Sequence, residues 1–98
     1  MRRVEAGVEP GALIKRVCVE FGVGPGDLQK RRSLADARLT AAALLKELTG
    51  LTQRDIGREV GLRDGSGLGR LLKLAGQKLS ESWRLRRRYA RIRKALQA

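Results

Sequence analysis

Thr52-Gln53-Arg54-Asp55-Ile56-Gly57-Arg58-Glu59-Val60-Gly61-Leu62-Arg63-Asp64-Gly65-Ser66-Gly67-Leu68-Gly69-Arg70-Leu71-Leu72-Lys73 reads as a helix–turn–helix. Thr52 with Asp55 three residues on resembles a capping box, with Asp in the usual place of Glu. A short helix follows with Ile56 and Val60 inward. Gly57 lies on the same side, where a missing side chain lets a second helix cross closely. Gly61 ends the helix and Leu62 can plug the core. Asp64 and Ser66 are both candidate N-caps of the next helix, which carries Leu68, Leu71, Leu72, Ala75 and Leu79 inward. In such a corner the second helix points its N-terminal end out of the protein, where it can enter a major groove. An ordinary helical corner in a bundle would read much the same.

The flanks repeat the helical period. Pro10 suits a first helical turn, and Leu13, Ile14, Val17, Cys18 and Phe21 then form one face up to Gly22. The position of Cys18 on that face predicts a buried thiol. A turn with glycines follows, and neither a preceding strand nor a Gly-Lys-Ser/Thr makes it a phosphate loop. Lys30-Arg31-Arg32-Ser33 leads into a helix from about Leu34 to Thr49, with Ala41, Ala42, Leu45 and Leu48 facing the core and Gly50 as its C-terminal stop. Ser80 or Ser82 caps a last helix whose Leu85, Tyr89, Ile92 and Leu96 recur on one side, with Trp83 packing at its start. Its seven basic residues, Arg84, Arg86, Arg87, Arg88, Arg91, Arg93 and Lys94, could grip phosphate or form a solvated face. The expected architecture is all-α with five or six helices. Residues 1–9 are expected to be a flexible N-terminus and residues 10–97 one domain.

Composition narrows the function. Among 98 residues, 22 Lys and Arg oppose 10 Asp and Glu, a net charge of +12 with no histidine. That balance is the footprint of a partner rich in phosphate. Three aromatic residues, Phe21, Trp83 and Tyr89, are too few for a stacking platform on single strands, which favours duplex DNA. The lack of histidine removes imidazole catalysis and His-ligated metal, and the lone Cys18 allows neither an internal disulfide nor a Cys-based zinc site. Tyr89 sits at a core-like position rather than as a nucleophile. No enzyme activity, cofactor, metal or small-molecule substrate is expected. Residues 1–7 lack an apolar signal region and no apolar run of membrane-spanning length occurs, so a cytoplasmic, nucleoid-associated monomer is expected.

A family resemblance rests on these residues. Leu45-Lys46-Glu47-Leu48-Thr49-Gly50-Leu51-Thr52, Asp55-Ile56-Gly57 and Gly61-Leu62-Arg63-Asp64 resemble the C-terminal DNA-binding domain of the chromosomal replication initiator DnaA. The upstream order also matches: Val17-Cys18-Val19-Glu20-Phe21, Asp27-Leu28, Lys30-Arg31-Arg32-Ser33 and Ala37-Arg38. A similar domain closes some transposases associated with repetitive extragenic palindromes. The resemblance spans about residues 11–97 and implies a Trp-repressor-like fold that binds double-stranded DNA. It implies that the loop Lys30-Arg31-Arg32 reaches the minor groove or backbone, with Arg31 and Arg32 in the groove. Arg38, Lys46 and Thr49 would meet phosphates, and Thr52 and Gln53 the backbone at the first helix. Asp64, Gly65 and Ser66 would stand at the base-reading corner, with Arg63, Arg70 and Lys73 around it. The last helix would lie away from the DNA. The family has His-Thr-Thr where this chain has Gly65-Ser66-Gly67, and Gln where it has Leu39, so the DNA sequence read is left open. A basic module docking an acidic protein or RNA is the alternative from another class.

Overall fold

The computed structural model describes residues 8–24, 35–62 and 67–97. Five α-helices account for them: α1 (Pro10–Phe21), α2 (Ala35–Leu48), α3 (Gln53–Glu59), α4 (Leu68–Glu81) and α5 (Trp83–Gln97). The fold is all-α, with no strand among the described residues.

Pro10 opens α1, where its missing N–H costs nothing. The helix ends at Gly22, whose φ of 70° is left-handed, with the Gly22 and Val23 N–H groups donating to Val19 and Cys18 carbonyls. Leu13, Val17 and Cys18 are buried, while Ile14 and Phe21 are half-buried beside them. Val8, expected in the loose N-terminal tail, donates its N–H to the Leu48 carbonyl at 2.9 Å and packs against the core. Glu9 takes the N-cap position of α1, its carbonyl accepting the Leu13 N–H at 3.0 Å, and residues 1–7 lie outside the described residues.

Helix α2 is the hub. It packs on α1, α3, α4 and α5, and Ala37, Leu39, Thr40, Ala41, Ala42, Leu44 and Leu45 are all buried. A face-by-face reading finds Ala41, Ala42 and Leu45 but misses Leu39 and Leu44, because a helix enclosed on several sides has no single apolar stripe. Small residues at Ala37, Ala41 and Ala42 let neighbours approach. Gly50, expected as a left-handed stop, does not take that conformation: Gly22 and Gly61 are the positive-φ glycines among the described residues. Thr49 closes the helix instead. Its hydroxyl donates to the Leu45 carbonyl at 2.5 Å and accepts the Leu51 N–H at 3.3 Å.

The Thr52 hydroxyl accepts the Asp55 N–H at 3.2 Å and so starts α3 as expected. Ile56, Gly57 and Val60 are buried. At Gly61 the chain turns with φ 86°, and the Leu62 N–H reaches back to the Gly57 carbonyl at 2.7 Å. Leu62 packs partly against the core, as the plug position requires. Helix α4 follows from Leu68, with Gly67 before it and no side-chain cap bond. Asp64 and Ser66, the expected caps, lie outside the described residues. Between α4 and α5 the cap is Ser82 rather than Ser80: its hydroxyl accepts the Leu85 N–H at 3.2 Å. The Arg86 guanidinium donates to the Leu79 and Ser80 carbonyls and so closes the end of α4.

Candidate nucleic-acid interface

The expected site residues divide three ways. Lys30, Arg31, Arg32, Arg63, Asp64, Gly65 and Ser66 lie outside the described residues. Two of the expected phosphate contacts carry structural bonds. Arg38 donates through Nε to the Val60 carbonyl at 2.8 Å, tying α2 to the end of α3. A guanidinium at a helix C-terminus also faces the negative end of the helix dipole. The Thr49 hydroxyl proton goes to the Leu45 carbonyl, so it is not free to donate to a phosphate as expected. The remaining residues, Lys46, Thr52, Gln53, Arg70 and Lys73, are exposed. Thr52 accepts one bond as a cap and keeps its own proton for an outside acceptor.

Helix α4 shapes the surface. Leu68 and Ala75 are buried and Leu71, Leu72 and Leu79 half-buried, so the opposite side carries Gly69, Arg70, Lys73, Leu74 and Gln77. No acidic residue stands in its first turn, and Glu81 at the far end is the first one on the helix. A side chain at Gly69 or Gly76 would meet nothing within 4 Å. Neither glycine is therefore demanded by packing, although an interior glycine costs a helix about 1 kcal/mol relative to alanine. Their effect is a low surface between the cations.

Arg54 extends this surface from α3, exposed on the side opposite buried Ile56. Its place in the helical period was the signal for it, and the resemblance did not single it out. Among the described residues, Lys46, Arg54, Arg70 and Lys73 make no ion pair. Glu20, Glu47 and Asp36 are engaged away from this corner, with Arg91 and Arg93 at 2.8 Å each and with Lys78 at 3.7 Å, whereas α3 itself carries the Asp55–Arg58 pair at 3.9 Å and Glu59. The charges of α3 balance, and the cations left without an ion pair at the start of α4 are Arg70 and Lys73, the arrangement that attracts an anionic ligand.

Glu47 also accepts a 2.5 Å hydrogen bond from the Tyr89 hydroxyl, stapling α5 to α2. Burial, then the hydrogen bond to Glu47 and the nearby negative charge, push the Tyr89 phenol well above its ordinary value near 10, against the opposing effect of Arg93. Tyr89 thus carries a structural bond. No group of three or more His, Cys, Asp or Glu among the described residues could hold a metal, and no helix among them is long and apolar enough to cross a membrane. Neither a protein-family model nor a curated protein matches the sequence.

Proposed function

We propose that the chain is a duplex-DNA-binding module in which the α3–α4 corner meets the major groove. The observation that carries this reading is the exposed side of α4. Arg70 and Lys73 stand there with no acidic residue on the helix before Glu81, beside Gly69, in the first turns of a helix whose opposite side is fixed in the core. Lys46, Thr52, Gln53 and Arg54 supply backbone contacts at the edge of the same corner. The resemblance to the DnaA C-terminal domain, and to the similar domain of some transposases, supports the same partner. In this reading Lys30-Arg31-Arg32 grips the minor groove or backbone, and Arg63-Asp64-Gly65-Ser66 faces the bases. The protein would then work on the nucleoid, without catalysis.

Selection from a random-sequence duplex library, at two salt concentrations, tests it. The expected result is an enriched motif bound at least about 10³-fold more tightly than bulk DNA. Uniform binding that falls steeply with salt would contradict base reading by this corner and leave backbone attraction alone. Absence of duplex binding, with capture of double-stranded RNA or poly-glutamate instead, would contradict the proposal as a whole.

A further inference from the structure

The start of α5 presents a second cationic surface of a different construction. Trp83 is 54 % exposed, although its position suggested packing at the helix start. The guanidiniums of Arg84 and Arg87 lie 5.7 and 5.6 Å from its ring centroid. The Arg88 guanidinium lies 4.9 Å from the centroid of Phe21 on α1. These cations are held by aromatic rings and not by carboxylates. Stacking of this kind restrains a guanidinium without cancelling its charge, and leaves its in-plane N–H groups free for phosphate. Their neighbours differ. Arg91 is paired with Glu20, whose side chain is only 11 % exposed, and Arg93 with Glu47. Asp36, which lines a depression with Arg84 and Arg88, is paired with Lys78, and Glu81 ends α4 two residues before Trp83. Trp83, Arg84, Arg87, Arg88 and Arg91 line a surface depression of about 320 Å³.

We propose that this outer face of α5 is a second phosphodiester-binding surface, and that it takes a second DNA duplex so that one molecule bridges two. Three observations favour that occupant. Arg84, Arg87 and Arg88 stand within about one turn of each other, with Lys94 further along and Arg91, paired with Glu20, between them, a row of cations along the helix that suits a polyanion. The Trp83 ring already carries two guanidiniums, at 5.7 and 5.6 Å, which makes it a support for cations that meet phosphate. The apolar stripe of α5 is buried through Leu85 and Ile92, which leaves only Trp83 to enter a lipid surface. The surface is also placed apart from the first. Arg70 and Lys73 stand in the first turns of α4, whereas α5 begins beyond its last residue, Glu81, about 12–16 Å further along that helix. Trp83 acts as a positioning residue for Arg84 and Arg87. The phosphate contact stands on α5 alone, and the bridging also rests on duplex binding by the α3–α4 corner.

The test uses the full chain with donor- and acceptor-labelled duplexes, and reads energy transfer between them together with the emission of Trp83, the one tryptophan. Wild type is expected to give transfer and a change in Trp83 emission. The Arg84→Gln/Arg87→Gln variant should retain binding to one duplex, lose at least about fivefold in transfer, and flatten the log–log salt dependence by about 2. The Arg70→Glu/Lys73→Glu variant should lose transfer but keep the change in Trp83 emission. If it instead binds a single duplex like wild type, the reading of α4 fails and the α5 surface stands. No transfer with wild type would overturn bridging. Unaltered transfer and salt slope in Arg84→Gln/Arg87→Gln would overturn the α5 contact. So would a Trp83 response to poly-glutamate or to phosphatidylserine vesicles but not to duplex.

Discussion

Thr40 is the one buried side-chain polar atom without a hydrogen-bond partner among the described residues. Its hydroxyl sits in the middle of α2, surrounded by the core. Replacing it by the isosteric Val removes an unsatisfied group and keeps the shape. Thr40→Val is expected to stabilise the fold by about 1 kcal/mol, measured by urea unfolding, and a lower midpoint would show that the hydroxyl has a partner. Arg38 works the other way. Arg38→Ala leaves the Val60 carbonyl at the end of α3 without its donor, and should cost about 1–2 kcal/mol in the same measurement. A loss of DNA affinity at unchanged stability would show that Arg38 meets phosphate through its remaining N–H groups. Residue types alone did not separate these roles. Arginine and threonine serve a helix end or a phosphate through the same donors, and only the partner decides. Where geometry leaves one solution, the sequence was legible: Gly22 and Gly61 do take positive φ and Thr52 does cap α3, whereas the choice of Ser82 over Ser80 needed the structure.

At the scale of elements, α4 combines weak helix propensity with a fixed buried side. Gly76→Ala fills open space and should stabilise by about 1 kcal/mol without changing DNA affinity. Gly69→Ala, at the second position of α4, should stabilise less but weaken duplex binding, if the DNA approaches the helix there as proposed. Equal affinities for the two variants would place the DNA elsewhere. Helix α5 is held to α2 through the Tyr89–Glu47–Arg93 cluster, and this has a pH signature. The unfolded phenol ionises near pH 10 while the folded one keeps its proton well above that. The folded state then binds more protons than the unfolded one, so stability falls as pH climbs above 10. Tyr89→Phe should lose stability at neutral pH and show a shallower alkaline decline. An identical alkaline slope would mean that the hydroxyl is free. Periodicity located α4 and α5 and their buried sides. It could not show that α2 is enclosed by four other helices, nor that Trp83 would stand in solvent with two arginines over its ring, since both depend on how elements meet.

For the whole molecule, the arrangement of charge matters more than its sum. Acidic residues on α1 and α2 clamp the middle of α5 through Glu20 and Glu47, and so consume part of the positive excess in holding the fold. Such partly exposed pairs contribute modestly, about 0–1 kcal/mol each. What remains unpaired among the described residues includes Arg70 and Lys73 on the exposed side of α4 and the arginines at the start of α5. The total charge and the all-α fold were readable from the sequence. The division of that charge into paired and unpaired groups was not, because Arg91 and Arg93 are indistinguishable from Arg84 and Arg87 until their neighbours are known.

The proposal of duplex binding by the α3–α4 corner is tested most directly by fluorescence anisotropy of a labelled DNA duplex short enough to hold one protein, with wild type and Arg70→Glu/Lys73→Glu compared at two salt concentrations. Both residues are exposed, so circular dichroism and thermal unfolding of the variant should match wild type. The expected result is a loss of affinity of at least about tenfold at low salt, with a log–log salt dependence shallower by about 2. An unchanged affinity and salt slope in the folded variant would contradict a DNA-facing α4.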